Sequence, residues 1–190
     1  MLGKVRMLLW GAVLVALAVV AFLVTRPAPS LPASTSTQMA PIGGPFTLVD
    51  GDGRAFSSAR LNGTPFAIFF GFTHCPDVCP TTLARLAKLR RALGKGDDAF
   101  RIVFVSVDPD RDGPAEVGAY AKLFATPVIG LTGSSAQIDA IKKRYAVYSA
   151  KVPQPGGDYS IDHSASVFLM DRRGAFVATL APDESDDVAL

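Results

Sequence analysis

Three features of this sequence predict an α/β fold with a mixed central sheet flanked by helices, preceded by one N-terminal transmembrane helix. First, Pro65 to Phe72 (PFAIFFGF) and Arg101 to Val107 (RIVFVSV) are short runs, apolar on both faces, as central strands are. Second, segments of helical spacing separate these and later strand-like runs, the alternation that builds an α/β layer structure. Third, Met7 to Val24 is an unbroken apolar stretch near the N-terminus.

Composition narrows the function classes. The chain has 190 residues, 49% apolar and 19% charged, too rich in apolar side chains for a disordered chain. Its net charge of +2 comes from the N-terminus, where Lys4, Arg6 and Arg26 stand and no acid occurs before Asp50. The remainder is close to neutral, so no basic nucleic-acid-binding face is indicated. Two cysteines exclude a multi-disulfide scaffold and a four-cysteine metal cluster.

Residues 7–24 (MLLWGAVLVALAVVAFLV) would span roughly 27 Å as a helix, enough for a thin bilayer. No polar face interrupts them, as one would in a surface helix. Lys4 and Arg6 place residues 1–6 in the cytoplasm and send the rest across the membrane. A cleaved signal peptide is the competing reading, but its apolar core is usually shorter, at ~7–15 residues. Residues 25–44 are rich in Pro, Ser, Thr and Ala and read as a tether. The folded domain is expected over 45–190.

Within it, Phe46 to Val49, the DGDG turn at Asp50 to Gly53, and Ala55-Phe56 suggest a hairpin. The strand at 65–72 comes next. Leu83, Leu86, Ala87, Leu89 and Leu93 then give a helix over 81–93. The strand at 101–107 is followed by a helix over 114–124 with Pro114 at its first position. A short strand is expected at 128–131. A Ser134-capped helix with a basic last turn (Lys142, Lys143, Arg144) runs to Tyr145. A closing hairpin over 166–180 turns at Asp171 to Gly174. A further short helix could start near Pro182.

The chemistry gathers at Gly71 to Pro80 (GFTHCPDVCP), between the most buried strand and the first good helix. Sites in α/β folds sit at such carboxyl ends of strands. Each cysteine precedes a proline, which disfavours the helical region and predicts that Cys75 and Cys79 both lie on a loop, with Pro80 opening the helix. A turn at Pro76-Asp77 brings the two sulfurs together. The adjacent helix N-terminus favours thiolate over thiol, and paired thiolates suit Cu(I) or Zn(II). A structural disulfide, closing a loop of only five residues, would restrain little chain entropy. Dithiol redox chemistry stays open.

Only His74 and His163 could complete a ligand set with an imidazole. His74 adjoins Cys75, where its side chain is expected to point away and cap or pack. His163 lies in a loop-like segment, Tyr159 to Ser164 (YSIDHS), beside Asp162, a candidate for holding the imidazole tautomer. Asp108 to Gly113 has the acidic spacing that starts an EF-hand loop, but Ala119 stands where the bidentate glutamate belongs. Met170 is a core residue by its strand context, and Met39 falls in the tether.

GFTHCPDVCP, SVDPDRD at Ser106 to Asp112 and YSIDHS, in this order, resemble the Sco/SenC family. The resemblance covers the domain over about 45–185 and extends to the single anchor. It implies a thioredoxin-like fold and copper, Cu(I) or Cu(II), bound by Cys75, Cys79 and His163, with Asp162 next to the site. It implies a metallochaperone for the dinuclear copper site of cytochrome c oxidase subunit II. Other copper chaperones or thiol reductants would be further partners. The alternatives are a thiol–disulfide oxidoreductase using Cys75 and Cys79, and a redox or copper sensor. With no Arg- and Ser-rich leader ahead of the apolar run, the expected place is a bacterial inner membrane with the domain in the periplasm, ahead of a mitochondrial inner membrane.

Overall fold

The computed structural model describes residues 2–25 and 41–181. The chain falls into two units, Met1–Met39 and Ala40–Leu190. In the first, one helix, α1, runs Leu2–Thr25, and its side chains Trp10, Leu14 and Val15 are exposed. Among the described residues no helix is long and apolar enough to cross a membrane. The anchor expected over 7–24 therefore rests on the sequence run. Most of the tether, with Met39, and the helix start near Pro182 lie outside the described residues.

The second unit is built on a seven-stranded mixed sheet. Its strands are β1 (Thr47–Asp50), β2 (Ala55–Ser57), β3 (Phe66–Gly71), β4 (Arg101–Ser106), β5 (Val128–Thr132), β8 (Val167–Met170) and β9 (Phe176–Leu180). They lie in the order β2-β1-β5-β4-β3-β8-β9. The β3–β4 and β4–β5 pairs are parallel, whereas β1–β5, β3–β8 and β8–β9 are antiparallel. Every residue of β3 is buried, and all of β4 after Arg101, which is why both read as continuous apolar runs. This is the mixed sheet expected from the sequence. The domain also begins slightly earlier than 45, since the Gly43 N–H donates to the Arg144 carbonyl (2.8 Å).

Three helices pack on this sheet: α2 (Val78–Ala92) on β4, α3 (Pro114–Ala121) on β1 and β5, and α4 (Ser135–Arg144) on β1. Helix α2 buries Leu83, Leu86, Ala87 and Leu89 in one stripe. Helix α3 stops at Ala121, three residues short of the sequence expectation, with 3-10-type bonding from the Lys122 and Leu123 amides. Leu123 is exposed, and Phe124 packs on Tyr120 from beyond the helix end, with ring centroids 5.5 Å apart. In α4, Ser134 and Gln137 form a full capping box. Met170 is buried in β8, as core.

Two expectations need correction in the segments that carry Cys79 and His163. Helix α2 begins at Val78, so Cys79 is in its first turn and not on a loop. The first helical N–H groups lack intrahelical partners, so Pro80 costs nothing there and does not force the helix to start after it. The segment read as a loop before the closing hairpin is a hairpin of its own. Strands β6 (Ser149–Pro153) and β7 (Tyr159–His163) pair antiparallel, with Ser149 opposite His163, and form a separate two-stranded sheet.

Candidate metal centre

Strand β3 ends at Gly71, and the chain turns at once. The Cys75 N–H donates to the Phe72 carbonyl (3.2 Å), closing a four-residue turn that carries Thr73 and His74. The turn lifts Cys75 to a half-buried position above the start of α2, while Cys79 points inward and is wholly buried. The Cys79 N–H, free of intrahelical bonding at this position, donates to Cys75 Sγ (3.3 Å). The two thiols are not joined.

His163, the last residue of β7, completes the group. Its Nε2 lies 3.6 Å from Cys79 Sγ. The ligand atoms of Cys75, Cys79 and His163 all fall within 4.8 Å of one another. One ion with metal–sulfur bonds of about 2.3 Å reaches two sulfurs up to about 4.6 Å apart, so this cluster is of the size a single soft cation needs. The imidazole sits edge-on to Phe72 and Phe69, with ring centroids 5.8 and 6.1 Å away.

The tautomer is fixed by backbone. Nδ1–H donates to the Ser164 carbonyl (2.9 Å), which leaves the Nε2 lone pair facing the sulfurs. The sequence pointed to Asp162 for this task. Asp162 is exposed, and strand alternation turns it away from the face that bears His163. A carbonyl carries no side-chain signature, so no residue-level reading could have found Ser164.

Electrostatics correct a second expectation. Burial pushes the Cys79 thiol well above its ordinary value, and the hydrogen bond with Cys75 adds to that effect. The helix N-terminus does not make a free thiolate of Cys79. It stays an S–H group until something replaces the proton, and a metal ion does so directly.

Space is held for the sulfur by Gly71. A Cβ there would stand 2.7 Å from Cys79 Sγ and 3.1 Å from Phe69 and Phe104 ring atoms. His74 is exposed and turns from the thiols toward Asp112, with Nδ1 3.5 Å from Oδ1. The EF-hand-like acids are occupied by donors. Asp112 is fully buried and accepts from the Thr73 N–H (2.8 Å), the Thr73 hydroxyl (2.6 Å) and the Ser106 hydroxyl (2.6 Å). Asp108, also fully buried, accepts from Arg111 and Tyr159.

A groove of about 250 Å³ opens over the centre between Pro76 and Val78 on one side and Ser160 to His163 on the other. An ion held there is reachable by another protein's ligands.

A family model described as SCO1/SenC matches residues 34–190. Protein SCO1 homolog 1, mitochondrial, of Arabidopsis thaliana is 40% identical over 143 residues, covering 75% of this chain and 43% of that protein. The chain thus spans less than half of that relative's length. ScoI of Bradyrhizobium japonicum, solved with copper bound, is 45% identical with a TM-score of 0.71, covering 78% of this chain and 94% of that one. BsSco, a member of the Sco family of cytochrome c oxidase assembly proteins in which a disulfide switch has been identified, is 27% identical with a TM-score of 0.60, covering 78% of this chain and 91% of that one.

Proposed function

This chain belongs to the SCO1/SenC family, and on that premise we propose that it is a membrane-tethered copper-binding protein that carries one copper ion on Cys75, Cys79 and His163. The observation that carries the proposal is the convergence of two thiols and one imidazole, from segments 84 residues apart, on one cation-sized point. Two soft sulfurs and a nitrogen suit Cu(I) as a three-coordinate ion, and Cu(II) with an added ligand such as water. A closed structural zinc site would want a fourth protein ligand.

Loading releases two thiol protons, one from Cys75 and one from Cys79, as the sulfurs bind the ion. The Nε2 lone pair of His163 closes the third position. Unloading is stepwise ligand exchange, with an incoming thiolate entering through the groove beside half-buried Cys75 as the bond to His163 is given up. The recipient in this proposal is cytochrome c oxidase, at the dinuclear copper site of subunit II. Other copper chaperones or thiol reductants would supply the ion and keep the thiols reduced. Residues 7–24 would anchor the chain in a bacterial inner membrane, with Lys4 and Arg6 in the cytoplasm and the domain in the periplasm.

A second reading, thiol–disulfide exchange, is favoured by the closeness of the two free thiols, with the Cys79 N–H 3.3 Å from Cys75 Sγ, and by half-buried Cys75, which an outside disulfide can reach. Copper titration of the reduced, detergent-solubilised full chain separates the two. The proposal expects one copper per chain, with affinity lowered and thiolate-to-Cu(II) absorption altered in His163→Ala. No copper uptake, together with rapid exchange with a disulfide substrate that tolerates His163→Ala, would replace it with the oxidoreductase.

A further inference from the structure

The third ligand sits on a hairpin that shares no strand pairing with the main sheet. Something else must set its angle, and the polar contacts show what does. At the start of β7, the Tyr159 hydroxyl donates to Asp108 Oδ1 (2.8 Å). Arg111 donates through Nε to Asp108 Oδ2 (2.5 Å) and through a terminal nitrogen to the Tyr159 carbonyl (2.8 Å). The Arg111 guanidinium carbon also lies 3.7 Å from the Tyr159 ring centroid. Tyr159 is thus gripped by its hydroxyl, its carbonyl and its ring, all by residues of the loop after β4.

The same loop grips the thiol segment. Ser106, the last residue of β4, accepts the Asp108 N–H on its hydroxyl (3.1 Å) and donates that hydroxyl to Asp112 (2.6 Å). Asp112 in turn holds the amide and hydroxyl of Thr73, two residues before Cys75. One continuous set of hydrogen bonds, buried at Ser106, Asp108 and Asp112 and half-buried at its two ends, therefore reaches from the hairpin to the cysteine turn.

We propose that Asp108, Arg111 and Tyr159 are positioning residues that hold His163 in register with the two thiols. The proposal rests on the copper reading of the site. Leverage is the reason it matters. Four residue steps of strand lead from Tyr159 to His163, about 13 Å at strand rise. A swing of roughly 10° about Tyr159 moves the imidazole by about 2 Å over that arm. Metal–ligand distances tolerate only about 0.2 Å. A hairpin held without the clasp loses the third ligand long before it loses its own fold.

The test is Tyr159→Phe, which deletes one hydroxyl and keeps the ring, made in the full chain with and without His163→Ala. Competition for Cu(I) against a chromophoric chelator should show about a tenfold loss from Tyr159→Phe alone, and no further loss when His163 is already absent. In the metal-free chain, amide hydrogen exchange over residues 149–163 should quicken while exchange in β3 and β4 stays as it was. An equal loss of affinity in both backgrounds would show general damage and overturn the proposal, as would unchanged affinity in the presence of His163. If the parent chain takes up no copper, the functional reading fails. The exchange experiment then decides the clasp by itself: faster hairpin exchange upholds it, and unchanged exchange removes it.

Discussion

Gly71→Ala is a small change that should damage the metal centre without replacing a ligand. Gly71 lies in β3 opposite Ser106, in ordinary extended backbone, so alanine costs nothing in conformation. The new methyl would stand 2.7 Å from Cys79 Sγ. Non-bonded contacts of this kind settle at roughly 3.5–4.0 Å, so the sulfur must retreat by about 1 Å. The Phe69 and Phe104 ring atoms at 3.1 Å leave the methyl no other direction in which to relax. The metal-free chain can turn the Cys79 side chain aside. The loaded chain cannot, because its bond lengths tolerate only about 0.2 Å. Overpacking of this order costs ~1–3 kcal/mol. If most of that falls on the loaded state, affinity drops about 5- to 150-fold, at 1.4 kcal/mol per decade. Anaerobic Cu(I) competition, with thermal unfolding of the metal-free chain as control, measures both parts. Wild-type affinity in Gly71→Ala would refute the claim that this glycine makes room for the sulfur.

Three further outcomes are expected. Asp112→Ala removes the acceptor of the buried Ser106 hydroxyl and of the half-buried Thr73 amide, while the Thr73 hydroxyl keeps His74 Nδ1 at 3.2 Å; at ~1 kcal/mol or more for each lost acceptor, the melting temperature should fall by roughly 5 °C or more, and a drop of less than about 1 °C would contradict the network. Alkylation of the reduced, metal-free chain should stop at one label on half-buried Cys75, with buried Cys79 reacting at least about tenfold more slowly until the chain is unfolded; peptide mapping that finds equal labelling would count against the geometry. Burial raises the Cys79 thiol and the Tyr120 and Tyr145 hydroxyls above their ordinary ranges in the fold. Such groups stabilise the folded state fully below their unfolded ionisation, about pH 9–10, and lose that contribution above it. Unfolding temperature should therefore decline as pH rises beyond about 9, and a flat profile to pH 11 would be the contrary result.

The legible parts of this protein are those written in local apolar pattern. β3, β4 and the stripe of α2 could be read because each buries a contiguous or periodic set of side chains. The β6–β7 hairpin could not. Ser-Ala-Lys-Val-Pro is exposed along its second half, ends in proline and shows no buried alternation, so nothing in it separates a strand from a loop. The start of α2 is not legible because a proline biases the preceding residue away from helix, a bias that first-turn placement overrides at Cys79. Cys75, Cys79 and His163 were recoverable as a set through the family resemblance. The joints that hold them together were hidden: Ser106–Asp112–Thr73 and Asp108–Tyr159 link residues far apart in the chain, and Ser164 acts through its backbone.

The distance of 84 residues between Cys79 and His163 also has a meaning in time. A chain made at about 5–20 residues per second shows its thiol pair for roughly 4–17 s before the histidine exists. During that interval the emerging polypeptide is a bare vicinal dithiol, with neither the imidazole nor the hairpin that would shield it. Any oxidant or stray metal it meets then encounters a different molecule from the finished one. The order of the ligands along the chain thus gives newly made protein a vulnerable age that the folded protein outgrows.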